Sequence, residues 1–88
     1  MDPSGAVLVI EDDPDIGRLI SIHLSDMGFV VECVGDGSAG LEKALRGSYQ
    51  LLLLDVMLPG KDGIEICKTI RQKNASLPIL MLTSGRLS

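Results

Sequence analysis

Four apolar runs, separated by longer amphipathic stretches, constrain the fold of this 88-residue chain more than any other feature. The runs are residues 7–10 (VLVI), 29–34 (FVVECV), 51–54 (LLLL) and 79–82 (ILML). A strand covered by helices on both faces is apolar at every position, so the first, third and fourth runs predict buried strands of a parallel sheet. Glu32 interrupts the second run, which predicts a strand at an edge of that sheet.

The stretch between the first two runs carries the features of a helix start and a helix end. Asp13 can accept hydrogen bonds at the N-terminus, Pro14 suits the first helical position, and Gly28 follows the last turn. We expect four apolar residues to form the buried face of this helix: Ile16, Leu19, Ile20 and Leu24.

The same kinds of signal predict two further helices. Asp36 and Gly47 bracket one over residues 38–46, and Asp62 begins another. Pro78 prevents a helix from continuing into the fourth run. The resulting order, βαβαβαβ, requires right-handed crossovers and predicts an α/β fold with an open, doubly wound parallel sheet in strand order 2-1-3-4.

Charge and hydropathy restrict the partners and the location of the chain. Its formal net charge is −4, and this negative field repels nucleic acid and anionic membranes, so we expect neither as a direct partner. No apolar run is long enough to cross a bilayer and no basic leader is visible, so we expect a cytoplasmic protein. Cys33 and Cys67 match no metal-binding or disulfide pattern and are expected to be reduced core thiols.

Polar residues follow three of the predicted strands. Residues 11–13 (EDD) follow the first run, Asp55 follows the third, and Thr83 and Ser84 follow the fourth. In a doubly wound sheet, ligands bind at the carboxyl ends of the strands, near the point where the strand order reverses. We therefore expect the carboxylates that follow the first and third strands to meet in one crevice.

Ionised carboxylates that lie close together repel each other unless a proton or a cation relieves the repulsion. Mg²⁺ suits such a site, because it prefers one or two carboxylates and leaves coordination positions for water and phosphate oxygens. A metal beside a carboxylate nucleophile supplies the charge neutralisation and positioning that phosphoryl transfer requires. Asp55 is the candidate nucleophile.

Three segments resemble the signatures of bacterial two-component response-regulator receiver domains, the CheY-like family. They are residues 7–13 (VLVIEDD), 52–63 (LLLDVMLPGKDG) and 79–84 (ILMLTS), in the order and spacing of that family. The resemblance implies a flavodoxin-like fold and a role in phosphorelay signal transduction. It also implies a sensor histidine kinase as phosphodonor and Mg²⁺ as cofactor. Such a chain is a phosphoryl-accepting signalling domain and not an enzyme.

The resemblance also assigns roles to individual residues. Asp55 corresponds to the phosphorylated aspartate. Asp12 corresponds to the direct Mg²⁺ ligand, Glu11 to the acid that acts on the metal mainly through water, and Met57 to the residue that contributes its backbone carbonyl. Thr83 corresponds to the switch hydroxyl that hydrogen-bonds the phosphoryl group.

Ser84 corresponds to the small neighbour that leaves room for phosphate. The resemblance stops after the fourth strand, whereas family members continue with a helix, a strand carrying a lysine and a switch aromatic, and a final helix. We therefore expect residues 1–88 to be the N-terminal portion of a receiver domain, in which phosphorylation is slow or absent. We also expect a homodimer or larger assembly, formed through an exposed sheet edge and an uncovered face.

Three other functions can be weighed against this resemblance. A dinucleotide-binding fold needs a phosphate cradle after its first strand, where residues 11–13 would repel an anion. A phosphatase with an Asp-x-Asp motif needs a second acid at the position of Met57. A self-associating module without signalling activity remains as the alternative function.

Overall fold

The computed structural model describes residues 6–56 and 62–82, which form alternating strands and helices. The elements are β1 (Ala6–Ile10), α1 (Pro14–Asp26), β2 (Val30–Val34), α2 (Gly37–Arg46), β3 (Leu51–Asp55), α3 (Gly63–Lys73) and β4 (Ile79–Leu82). The four strands pair in parallel in the order β2-β1-β3-β4. The predicted strand order, the predicted parallel sheet and the three predicted helices are confirmed.

The central strands β1 and β3 are the most buried elements of the sheet. All four residues from Val7 to Ile10 have no exposed surface, and Leu52 and Leu54 are equally buried. β2 and β4 lie outside them and are partly exposed. Glu32 lies on β2, so the prediction of an edge strand at this interrupted run is confirmed.

Alternate residues of the strands face two separate cores. One core contains Leu8 and Leu52 and packs against α2 and α3. The helical members of this core include Ala44, Ile66 and Ile70. The other core contains Val7, Val9 and Leu53 and packs against α1 through Ile20 and Leu24. Helices therefore lie on both faces of the two central strands, whose runs are apolar throughout.

The ends of α1 agree with the sequence signals, but its predicted buried face is partly wrong. Asp13 caps the helix, and Gly28 follows it with a φ of 99°, a left-handed conformation that favours glycine. Ile20 and Leu24 are half-buried as expected, whereas Ile16 and Leu19 are 38% and 56% exposed.

Gly17 explains this difference. It is the buried residue of α1, and a Cβ atom there would lie 2.7 Å from Cys33 Sγ. The absence of a side chain brings the helix close to β2 at Cys33. Ser21 and Leu24 continue this line along the same face of the helix and are half-buried. Ile16 and Leu19 are turned away from that line.

The two cysteines differ in burial. Cys67 is half-buried and packs against the core beneath α2 and α3, in agreement with the prediction. Cys33 is exposed, so the prediction that it is a core residue is wrong. Its strand is at the edge of the sheet, where only part of each face is covered. Within residues 6–56 and 62–82, no helix has the length and apolar character needed to cross a membrane.

Candidate functional site

Three carboxylates meet at the carboxyl edge of the sheet. Glu11 and Asp12 directly follow β1, and Asp55 is the last residue of β3. β1 and β3 are neighbours, with Ile10 paired with Leu54. One carboxylate oxygen from each acid lies within 4.8 Å of the others. The sequence prediction that these acids share one crevice is confirmed.

The three acids differ sharply in exposure. Glu11 is 6% exposed and Asp55 is 2% exposed, whereas Asp12 is open to solvent. Two of the carboxyl groups therefore lie in a poorly hydrated environment, where an uncompensated charge is costly. Asp12 therefore forms the solvent-exposed side of the cluster.

The environment of Glu11 disfavours its charged form. Burial raises the pKa of the Glu11 carboxyl above its ordinary value, and the nearby acids Asp55 and Asp12 raise it further. A hydrogen bond from the backbone N–H of Asp13 opposes this shift, at 3.0 Å from Glu11 Oε2. The site therefore favours the addition of positive charge, either as a proton or as a cation.

Asp13 connects this acidic site to α1. Its side chain caps the helix by accepting hydrogen bonds from the N–H groups of Asp15 at 2.9 Å and Ile16 at 3.4 Å. Its own N–H donates to Glu11, so one residue both starts the helix and orients a carboxylate of the site. The sequence signals identified the cap, and the structure adds the hydrogen bond through which Asp13 also shapes the site.

The backbone that follows Asp55 is held from two sides. The N–H of Val56 donates to the carbonyl of Leu82 at 3.0 Å, and the carbonyl of Val56 accepts the N–H of Gly63 at 3.1 Å. Asp55 itself pairs in register with Leu82. The end of β3 is therefore fixed against both β4 and the first turn of α3.

The donor set fits a hard divalent cation. Carboxylate oxygens are the ligands that Mg²⁺ prefers, and a site with one exposed acid leaves room for water and phosphate oxygens. A bound cation would also relieve the repulsion that raises the pKa of Glu11. The residues that the structure places together are therefore compatible with the predicted magnesium site.

Three predicted site residues, Met57, Thr83 and Ser84, lie outside the described residues. The described chain stops next to them on each strand, at Val56 after β3 and at Leu82 in β4. Their roles remain predictions.

The geometry of the site and the fold agree with a comparison against protein families. The family described as the response regulator receiver domain matches residues 7–87. The chain belongs to this family. The match includes all four strands and the three clustered acids.

Response regulators of bacteria are among the proteins that this chain resembles. The chain is 42% identical over 78 residues to the response regulator ArlR of Staphylococcus epidermidis, covering 89% of this chain and 35% of ArlR. It is also similar to the response regulator TrrA of Thermotoga maritima, solved in complex with Mg²⁺ and beryllium fluoride. The TM-score is 0.87 at 32% identity, covering 91% of this chain and 70% of TrrA.

A second structure contains TrrA in complex with the histidine kinase ThkA. That match has a TM-score of 0.86 at 31% identity and covers 94% of this chain and 72% of the matched chain. The chain spans about a third of the length of the curated relative ArlR. These likenesses identify a receiver domain.

Proposed function

We propose that the chain accepts a phosphoryl group on Asp55 in a Mg²⁺-dependent reaction of two-component signalling. The observation that carries this proposal is the cluster of Glu11, Asp12 and Asp55 at the carboxyl ends of adjacent strands, with Asp55 only 2% exposed. A carboxylate on a rigid strand end can be aimed at an incoming phosphorus atom, and a dry site strengthens the electrostatic interactions around it.

In the proposed step, an ionised oxygen of Asp55 forms a bond to the phosphorus atom of the donor. The bond between phosphorus and the donor atom breaks, and its electron pair leaves with the donor. Mg²⁺, when bound, neutralises the charge of the carboxylates and of the phosphoryl oxygens. The chain contributes positioning, because the Val56 peptide is tied to both Leu82 and Gly63.

The proposed metal ligands are Glu11, Asp12, Asp55 and the backbone carbonyl of Met57. Asp12 is exposed and can bind a hydrated ion directly. Glu11 is buried and already accepts the N–H of Asp13, which favours an indirect role through water. This division agrees with the preference of Mg²⁺ for few carboxylates and several waters.

Thr83 and Ser84 complete the proposed phosphate site. They follow Leu82, and Leu82 is the register partner of Asp55. We assign to Thr83 a hydrogen bond to the phosphoryl group and to Ser84 the space beside it. A phosphoryl group that attracts Thr83 would shift the segment after β4, and such a shift would change the preference for a partner.

The proposed phosphodonor is a sensor histidine kinase, which would supply the phosphoryl group from a phosphorylated histidine. Similarity to TrrA, whose complex with the kinase ThkA is solved, supports this partner. We further propose that residues 1–88 form the N-terminal portion of a receiver domain in the cytoplasm, one that accepts a phosphoryl group rather than turning over substrate.

Self-association is a second proposed property, favoured by exposed apolar residues on β4 and α1. Leu80 is 55% exposed and pairs in register with Leu53, so it lies on the face of the sheet that α1 covers. On α1, Leu19 and Ile22 are 56% and 57% exposed. We propose that a second copy of the chain covers these residues. Sedimentation should detect a dimer for the wild type and a monomer for Leu80→Ser. A monomer for both at micromolar concentration would exclude the proposal.

Incubation with Mg²⁺ and acetyl phosphate, followed by intact mass measurement, tests the phosphoryl acceptor. Wild type should carry one phosphoryl adduct, because Asp55 is the single proposed acceptor. Asp55→Asn should carry none, and Asp15→Asn, a nearby exposed acid outside the cluster, should behave as wild type. An adduct on Asp55→Asn would exclude Asp55 as the acceptor.

A further inference from the structure

Gly63 makes an unusually close contact with the backbone of the candidate site. A Cβ atom added to Gly63 would lie 2.7 Å from the carbonyl oxygen of Asp55 and 2.8 Å from the Cα of Val56. The carbonyl oxygen of Val56 would be 3.0 Å away. These distances are shorter than ordinary van der Waals contact, so any side chain at residue 63 must displace backbone atoms.

Backbone conformation does not explain the glycine at this position. Gly63 is the first residue of α3, and Gly28 is the one glycine of the described chain with a positive φ. Alanine is a better helix former than glycine, so helix propensity alone would favour a side chain here. Space against the end of β3 is the remaining reason for the glycine.

Gly63 differs from the other closely packed glycines in the kind of atom that an added Cβ would meet. Added Cβ atoms at Gly17 and Gly40 would meet the side chains of Cys33 and Ile10, which can rotate. An added Cβ at Gly35 would lie 3.8 Å from the Glu11 carbonyl oxygen, an ordinary contact. Compared with Gly17, Gly28, Gly35, Gly40 and Gly47, Gly63 is the one whose added Cβ would come within 3.0 Å of backbone atoms of the site.

The close contact of Gly63 involves the Val56 peptide, which a hydrogen bond to β4 already holds on its other side. Gly63 donates its N–H to the carbonyl of Val56, whose own N–H donates to the carbonyl of Leu82. A side chain at residue 63 would push Val56 away from α3 and strain its bond to β4. Asp55, one residue earlier, would move with it.

We propose that Gly63 is a positioning residue, which seats the first turn of α3 on the Asp55–Val56 backbone and thereby aims the Asp55 carboxylate at the shared cation. This inference rests on the proposed function, because it assigns Gly63 a role in the same site. The role differs from a purely structural one, in which a side chain at residue 63 would weaken the fold but leave the folded site unchanged.

The test compares Gly63→Ala with Gly35→Ala, a matched glycine beside Glu11 that has room for a methyl group. The measurements are the backbone amide shifts of Asp55 and Val56 without metal, and the Mg²⁺ dissociation constant of the folded chain. We expect Gly63→Ala to move both amide shifts and to raise the dissociation constant about 10- to 100-fold, as for other residues that orient metal ligands. Gly35→Ala should leave both measurements at their wild-type values.

A Gly63→Ala chain that is less stable but binds Mg²⁺ as wild type does would overturn the proposal. If Gly63→Ala does not fold in buffer, the titration is repeated with an osmolyte that restores the fold. Weak binding under those conditions supports the proposal, and wild-type binding overturns it.

A wild-type chain that binds no Mg²⁺ overturns the proposed function. In that case unchanged Asp55 and Val56 shifts in Gly63→Ala would also overturn the positioning role, and moved shifts would support it.

Discussion

The carboxyl groups of Glu11 and Asp55 are both buried and lie side by side, with one oxygen of each within 4.8 Å of the other, although both residues are acids. They come from the ends of adjacent strands, so the topology of the sheet enforces their proximity. A proton on Glu11 can sustain this contact, and a shared cation can replace that proton. The fold thus maintains a group of acids that is most stable when positive charge is added.

The first prediction concerns stability at different pH values without metal. Burial and the neighbouring acids raise the pKa of Glu11 in the folded chain above its ordinary value of 4.5. The protonated carboxyl therefore favours the fold fully below pH 4.5, and this contribution is lost as the pH rises through the raised pKa. Urea unfolding of wild type and Glu11→Gln across this range should reveal the loss in wild type only. A parallel pH profile for both chains would contradict the assignment.

Mg²⁺ should restore most of the stability that wild type loses when Glu11 releases its proton. A cation that binds the folded site and not the unfolded chain stabilises the fold by mass action. We expect the urea midpoint of wild type to rise with Mg²⁺ at neutral pH, and that of Asp12→Asn to rise less at the same Mg²⁺ concentration. An equal rise in both chains would place the bound ion elsewhere.

The third prediction concerns Tyr49, the only tyrosine in a chain without tryptophan. Its hydroxyl donates a hydrogen bond to Glu32 at 2.7 Å, and Lys43 donates to the other oxygen of Glu32 at 2.6 Å. Burial, the hydrogen bond and the negative charge of Glu32 raise the pKa of Tyr49 to about 12. Absorbance of the tyrosinate should therefore appear near pH 12 in the folded chain, and at lower pH in Glu32→Gln.

This tyrosine also predicts the sign of an alkaline stability change. The pKa of Tyr49 is 10.0 without the fold and about 12 within it, so its contribution to stability is present below pH 10 and is lost as the pH rises toward 12. Glu32→Gln should reduce this loss, because it removes the hydrogen bond to a charged acceptor. A tyrosinate transition near pH 10 in a chain that is still folded would contradict the contact.

The fourth prediction compares two isoleucines on α3. Ile70 has no exposed surface and packs in the core beneath α2 and α3, whereas Ile64 is 48% exposed. Ile70→Ala should lower the free energy of unfolding by about 2–5 kcal/mol, because it removes buried methyl groups and leaves a cavity. Ile64→Ala should cost much less. Equal losses in urea unfolding would mean that the buried face of α3 is assigned wrongly.

Much of the sheet could be predicted from the sequence, because a strand buried on both faces must be apolar throughout. The runs at residues 7–10 and 51–54 satisfy this condition, and both strands lie at the centre. The buried face of α1 was harder to predict. Apolar periodicity identified Ile16 and Leu19, but the line of contact is set by Gly17, whose lack of a side chain allows close approach. Periodicity contains no signal for that kind of contact.

The candidate site, too, could be predicted from the sequence only in part. Parallel strands present their carboxyl ends at one edge, so the meeting of Glu11, Asp12 and Asp55 follows from strand order alone. The roles of Asp13 and Gly63 around this cluster depend on individual distances. Both residues lie in the segments that resemble the receiver-domain signatures, but the sequence pattern of each is that of a helix start and contains no distance to Glu11 or to Asp55.

Calorimetric titration with Mg²⁺ tests most directly whether the ends of β1 and β3 share a cation. The chains compared are wild type, Asp12→Asn, Asp55→Asn and the control Asp15→Asn, an exposed acid outside the cluster. We predict one binding event in wild type and Asp15→Asn, and binding weakened about 10-fold or more in Asp12→Asn and Asp55→Asn, since each loses a charged ligand. Folded wild type that produces no binding heat, or equal affinity in all four chains, would contradict the account.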